Sequence, residues 1–184
     1  MSLEWMRGRI VGYRDLPDPE RDAITAFFWL WSFFEGHYIL DDPERDNNEN
    51  RAVPKIERLI DRLLIAEARQ VDMASFAAPL NHFSARYFPR GVENADLYAG
   101  LNVRWRRQLV RNVLSGRDIR VPGTIVALLV VAYCLRNNMV HGPKWRMDLA
   151  QQRGNFEAAN AVLIAAMEID DRHLIPVPPQ QQLA

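Results

Sequence analysis

The sequence predicts an all-α fold, a helical bundle of about five to six helices. Three observations carry this. Apolar residues recur at three- and four-residue spacing in several segments. Strand-like alternation is scarce, and no Asn-Gly or Asp-Gly pair joins two apolar runs as a hairpin turn would. One segment, Ile125–Leu135, is apolar for eleven consecutive residues and runs on toward a Gly142-Pro143 stop.

Residues 1–17 read as an irregular segment, residues 18–172 as a single helical domain, and residues 173–184 as a Pro- and Gln-rich tail without structure of its own. The first strong helix starts at Asp18-Pro19-Glu20. Asp18 suits the cap, Pro19 the first helical position, and Glu20 and Asp22 the positive end of the dipole. It runs to about Tyr38. A polar loop, 41–50, follows. Ile56, Leu59, Ile60, Leu63 and Leu64 then mark one buried face of a helix over about 54–68. A helix over about 72–87 contains Pro79, which should disturb it. Residues 88–99 read as loop, and 101–114 as a helix stopped by Gly116. The fifth helix begins after Pro122-Gly123 with Thr124 as cap; apolar all round for three turns, it should be the central buried one. A linker at 143–154 leads to a last helix, capped by Asn155 and ending near Asp170.

With 184 residues the chain can bury a core without disulfides or a structural metal. Cys134 is its only cysteine, which excludes an intrachain disulfide and a Cys-based zinc site and agrees with a reducing cytoplasm. The eleven-residue apolar run is shorter than the roughly 17–25 residues that span a bilayer, and the N-terminus lacks the pattern of a secretory signal. We therefore expect a cytoplasmic protein without a membrane. Net charge is zero, but the charges are unevenly distributed. Residues 1–50 carry 11 acidic and 5 basic groups, whereas residues 86–120 carry 8 arginines against Glu93, Asp96 and Asp118. A chain neutral in sum can still present a basic face.

The chemistry concentrates where the fifth helix ends: Arg136-Asn137-Asn138-Met139-Val140-His141-Gly142-Pro143-Lys144. A guanidinium, amides and an imidazole at the end of the most buried helix are costly to desolvate without partners. Asn137 and His141, four steps apart, share a face; Arg136 and His141 stand about 140° apart on an ideal helix. An imidazole near neutral pH beside a fixed guanidinium suits phosphodiester chemistry. Glu35 falls within the apolar arc of the first helix, so its carboxylate needs a partner, and Arg136 is the candidate. The same residues also allow a plain structural reading: Arg136, Asn137 and His141 as a helix-end cap, and Glu35–Arg136 as a pair that only fixes packing. His37 and His82 read as core or surface residues.

Arg136-Asn137 followed after three residues by His141 resembles the Arg-x4-6-His motif of HEPN domains, whose arginine is often followed by a polar residue. Leu135-Arg136-Asn137-Asn138-Met139-Val140-His141-Gly142 is similar in wording to bacterial members, and Phe27-Phe28-Trp29-Leu30-Trp31-Ser32-Phe33-Phe34-Glu35 resembles their first core helix. The resemblance covers about residues 20–38 and 124–170. It implies an all-α bundle and a homodimer that joins two motifs across a cleft. It further implies a metal-independent endoribonuclease acting on RNA in a prokaryotic toxin–antitoxin or phage-defence setting. An antitoxin or a nucleotidyltransferase would be the partner. By that resemblance Arg136, His141, Asn137 and Glu35 form the catalytic set, with no cofactor and no metal. The aromatics Trp29, Phe33 and Phe34 look exposed and in need of cover.

Arg104, Arg107 and Arg111 are spaced to form one helical stripe, opposite Leu101, Trp105, Leu109 and Val113. They suit an RNA backbone track or a plain solvated face. Lys144 and Arg146, with Trp145, follow the motif and could touch RNA by charge and stacking. Two other readings stay open: a non-catalytic helical module that binds a nucleotide or a protein, and a bundle with an apolar small-molecule pocket.

Overall fold

A computed structural model describes residues 2–9, 11–40, 56, 71–141 and 151–169. Every regular element among them is helical: α1 (Ser2–Arg9), α2 (Val11–Arg14), α3 (Asp18–Phe34), α4 (Ala74–Tyr87), α5 (Ala95–Leu101), α6 (Arg107–Leu114), α7 (Val121–His141) and α8 (Arg153–Ile169). Helix α3 passes without a break into a wider π-helical stretch, Glu35–Leu40, and a short 3-10 turn spans Pro89–Gly91. The all-α bundle is therefore established.

Helix α7 is the axis. Thr124 through Ala132 are all buried, on every side of the helix, as an apolar run of this length requires. Helix α8 packs against α3, α4 and α7, and α6 closes another side of α7. Small residues Ala158, Ala159, Ala165 and Ala166 are buried along α8. Ile24, Phe27, Trp31 and Phe34 form the inner stripe of α3. Phe27 meets Phe156 of α8 at 5.2 Å between ring centroids. Over Val121–Val140, α7 is long and apolar enough to cross a membrane by length and composition alone. However, 72% of that window is buried inside the bundle, as in the core helix of a folded domain.

Several expectations need correction. Within residues 1–17, Ser2–Arg9 and Val11–Arg14 are helical rather than irregular, forming α1 and α2, and Tyr13 and Leu16 are buried. Tertiary burial of those two residues supplies what the local sequence lacks. Pro17, not Asp18, precedes α3, and its carbonyl accepts from the N–H groups of Glu20 and Arg21, each at 3.1 Å. Asp18 instead pairs with Arg21 and, at 3.3 Å, with Arg7. Pro79 lies buried within an unbroken α4. The 88–99 loop contains most of α5, which is capped where the Asn94 side chain accepts from the Leu97 N–H at 3.3 Å. No helix spans 101–114: α5 ends at Leu101, Asn102 and Arg106 are left-handed (φ 58° and 51°), and α6 starts at Arg107. Helix α7 begins at Val121, so Thr124 is a buried first-turn residue rather than a cap. Helix α8 begins at Arg153, which places Asn155 inside it. There the buried Asn155 amide donates to Gln152 Oε1 at 2.7 Å, and its Oδ1 lies 2.9 Å from His82 Nε2. The helix expected over 54–68 lies outside the described residues except for Ile56, which is helical and buried. The 41–50 loop and the tail also lie outside them.

The fully buried α7 side chains should dominate stability. Leu128→Ala is expected to cost about 2–5 kcal/mol, whereas Ile119→Ala, at 84% exposure, should stay within about 0.5 kcal/mol. Urea denaturation of both variants checks this.

Candidate functional site

The last turns of α7 emerge from the core on one side only. Tyr133, Arg136, Asn137 and Val140 share a face at i, i+3, i+4 and i+7 and are partly or fully accessible, while Cys134, Leu135, Asn138 and Met139 remain buried. This face meets the end of α3 where the backbone becomes π-helical.

Three of the sequence-predicted residues come together there. Glu35 Oε2 lies 3.5 Å from Arg136 Nη2, and Arg136 Nη1 donates to Asn137 Oδ1 at 3.1 Å. Both charged side chains are about a quarter exposed, 29% for Glu35 and 26% for Arg136. Trp31, one turn earlier on α3, donates its indole N–H to the same Glu35 Oε2 at 3.0 Å. Its ring packs 5.9 Å from that of Tyr133 on α7. Trp31 and Tyr133 thus fix the carboxylate, and the carboxylate fixes the guanidinium. A guanidinium has five N–H donors; Glu35 and Asn137 engage one edge of it, and a planar fork so held suits a phosphate on the other.

His141 is the last residue of α7, and its imidazole lies outside the described side chains. On an ideal helix its position is about 40° from that of Asn137. Lys144, Trp145 and Arg146 lie outside the described residues.

Asn138 has a role the sequence reading did not give it. It is buried, and its amide donates to the carbonyls of Gly100 and Leu101 at 3.2 and 3.1 Å. Those carbonyls belong to the C-terminal end of α5, where helix carbonyls lack intrahelical partners. A buried amide inside an apolar run needs such partners, and that requirement was the available signal.

The arginine stripe is not one helical face. Arg104 lies on the turn before α6 and donates to Asn102 Oδ1 at 3.3 Å. The Arg107 guanidinium stands 5.7 Å over the Tyr98 ring, and Arg111 pairs with Glu93 at 2.7 Å. Burial pushes the Tyr98 hydroxyl up to about 12, against the opposing influence of Arg107; it donates to the Arg107 carbonyl at 3.1 Å. The aromatic expectation also changes. Trp29 is 74% exposed, Phe33 is partly buried, and Phe34 is fully buried. His37 lies beside Phe33, with ring centroids 4.4 Å apart. Burial pushes the Cys134 thiol up to about 12, so it is a poor nucleophile at neutral pH. Among the described residues, no group of three or more His, Cys, Asp or Glu converges as a metal site would require.

No family model, curated protein or solved structure matches this chain.

The Glu35–Arg136 pair should be energetically coupled. Arg136→Ala is expected to lower stability by about 1–3 kcal/mol, because it strips a charged partner from a part-buried carboxylate. Glu35→Gln, which can keep the Trp31 bond, should cost less. A double-mutant cycle read by thermal and urea melts should give a coupling of about 0.5–2 kcal/mol; zero coupling would reduce the contact to coincidence.

Proposed function

We propose that this chain is a HEPN-type, metal-independent endoribonuclease, working in the cytoplasm as a homodimer. The observation that carries the reading is the Arg136 guanidinium, held by Glu35 and Asn137 on the core helix, five residues ahead of His141. The reading also draws on the resemblance of this segment to the HEPN motif.

The reaction is attack of a ribose 2′-hydroxyl on the adjacent phosphorus. The 2′-oxygen–phosphorus bond forms, the phosphorus–5′-oxygen bond breaks, and the products are a 2′,3′-cyclic phosphate and a 5′-hydroxyl. His141 moves the proton, taking it from the 2′-hydroxyl or delivering it to the departing 5′-oxygen. The homodimer's two motifs would supply both roles across the cleft. Arg136 binds the phosphate and offsets the charge that builds on its oxygens at the transition state. Asn137 and Glu35 orient that arginine. DNA, lacking the 2′-hydroxyl, is not cut. A toxin–antitoxin or phage-defence setting, with an antitoxin or a nucleotidyltransferase as partner, accords with such an activity.

The test is cleavage of RNA in EDTA by the purified chain. Arg136→Ala and His141→Ala should each lose most of the activity, by at least about 100-fold. The double variant should be little worse than either, because the two groups act in one step. Full activity in His141→Ala would remove the assignment. Intact RNA after incubation with a folded, dimeric wild type would favour the non-catalytic interaction module instead.

The homodimer is a separate expectation. Trp29 is 74% exposed beside the part-buried Phe33, and a second copy would cover both. Light scattering at micromolar concentration should give about twice the 21.3 kDa chain mass. A monomer would count against both the dimer and a composite cleft.

A further inference from the structure

Residues Asn102–Arg107 form a turn with an unusual composition and an unusual backbone. Arg104, Arg106 and Arg107 are exposed, with no acidic residue among them. Trp105, which the helical reading placed opposite the arginines, is instead 38% exposed between them. The left-handed residues Asn102 and Arg106 bracket the segment and turn it out of the line of α5 and α6. Arg104 and Arg107 keep contacts with Asn102 and Tyr98; Arg111 pairs with the carboxylate of Glu93 and Arg120 with that of Asp118 at 2.7 Å.

The start of the turn is tethered to the helix that carries the candidate site. Asn138 holds the carbonyl of Leu101, four residues before Trp105, so Trp105 lies within about 15 Å of that anchor along the chain. Around α7, taking position 136 as zero, Asn137 falls near 100°, position 141 near 140° and Asn138 near 200°. By position on the helix, Arg136 and Asn138, the residue that holds the start of the turn, flank Asn137.

We propose that the Arg104–Arg107 turn is a single-stranded RNA contact. The Trp105 indole stacks on an unpaired base, and Arg104, Arg106 and Arg107 hold the neighbouring phosphates. Stacking on an indole is available to any base but requires one released from pairing. Three guanidinium groups within four residues match a phosphate backbone. This deepens the ribonuclease reading by naming the substrate form, and it rests on that reading for the choice of RNA.

The experiment is fluorescence anisotropy with a labelled oligouridine carrying 2′-O-methyl groups. This probe cannot be cleaved, so binding is read apart from chemistry. Trp105→Ala should weaken binding roughly 5-fold or more, and Trp105→Phe should keep most of it. Arg104→Gln, Arg106→Gln and Arg107→Gln combined should weaken binding and lower the salt slope by up to about 2. The same sequence presented as a duplex should bind more weakly. Unchanged affinity in Trp105→Ala and in the triple variant would overturn the proposal. So would equal binding of polyglutamate that ignores Trp105, which would assign the turn to acidic protein surfaces. Loss of cleavage activity with this binding pattern intact would remove the ribonuclease reading alone. Cleavage with binding indifferent to the turn would remove the turn alone.

Discussion

A helix that is apolar on every side must be wrapped, and where the wrapping stops its polar residues need partners. That constraint organises this molecule. From Thr124 to Ala132 helix α7 has no solvent-facing side; α4, α5, α6 and α8 pack against it, and α3 meets it through Trp31 and Tyr133. From Tyr133 onward the cover is lost on one side, while Cys134, Leu135, Asn138 and Met139 stay buried. Arg136 therefore sits at the boundary, neither solvated freely nor buried outright, where an uncompensated charge is expensive. The Glu35 carboxylate answers it, and Trp31 answers the carboxylate. The ion pair is thus a consequence of how far the core extends, and its position would move if the core were a turn shorter.

The opposite side of the same helix end solves a different problem. Asn138 brings amide donors into the apolar interior, and α5 brings carbonyls that its own helix cannot satisfy. Each makes the other affordable. Neither the amide nor the end of α5 would be stable there alone, and the pairing fixes where the chain leaves α5. The two left-handed residues that follow, Asn102 and Arg106, then aim the basic turn. For an arginine, that backbone conformation costs of order 1–3 kcal/mol unless the surroundings enforce it. Here a buried anchor on each side, Leu101 of α5 and Val110 of α6, does so.

What the sequence made legible follows from the strength of each signal. Helices α4, α7 and α8 are long, periodic or wholly apolar, and their existence was readable although their first residues shifted by a turn or less. The Glu35–Arg136 pairing was readable because a carboxylate inside an apolar arc has few solutions. Helices α1, α2 and α5 were missed because they are short and rely on burial of Tyr13, Leu16, Tyr98 and Leu101 rather than on a local pattern. The break at Asn102–Arg106 was missed because neither residue is glycine or proline. Extrapolating 3.6-residue periodicity across it turned Trp105 inward and joined Arg104 to a stripe that does not exist. At the motif itself, spacing put Asn137 on one face with His141, and Asn137 lies on the part-exposed side of α7. Spacing alone did not show that Asn138, about 100° further round the helix, faces the core and serves the fold.

The contacts that bind α8 to α3 join distant parts of the chain. Asn160 donates to the carbonyl of Ala23 across 137 residues, and the Gln151 N–H donates to Glu20 across 131. During synthesis, the ribosome releases the aromatic stripe of α3 long before the helix that covers it. Phe27 faces Phe156 in the finished bundle, but a nascent chain shorter than about 150 residues has nothing to set against it. Non-local partners of this kind make the closing step late and leave apolar surface open meanwhile. The core is therefore completed nearly all at once, by its last strong helix, and the polar end of α7 gains its final surroundings only then.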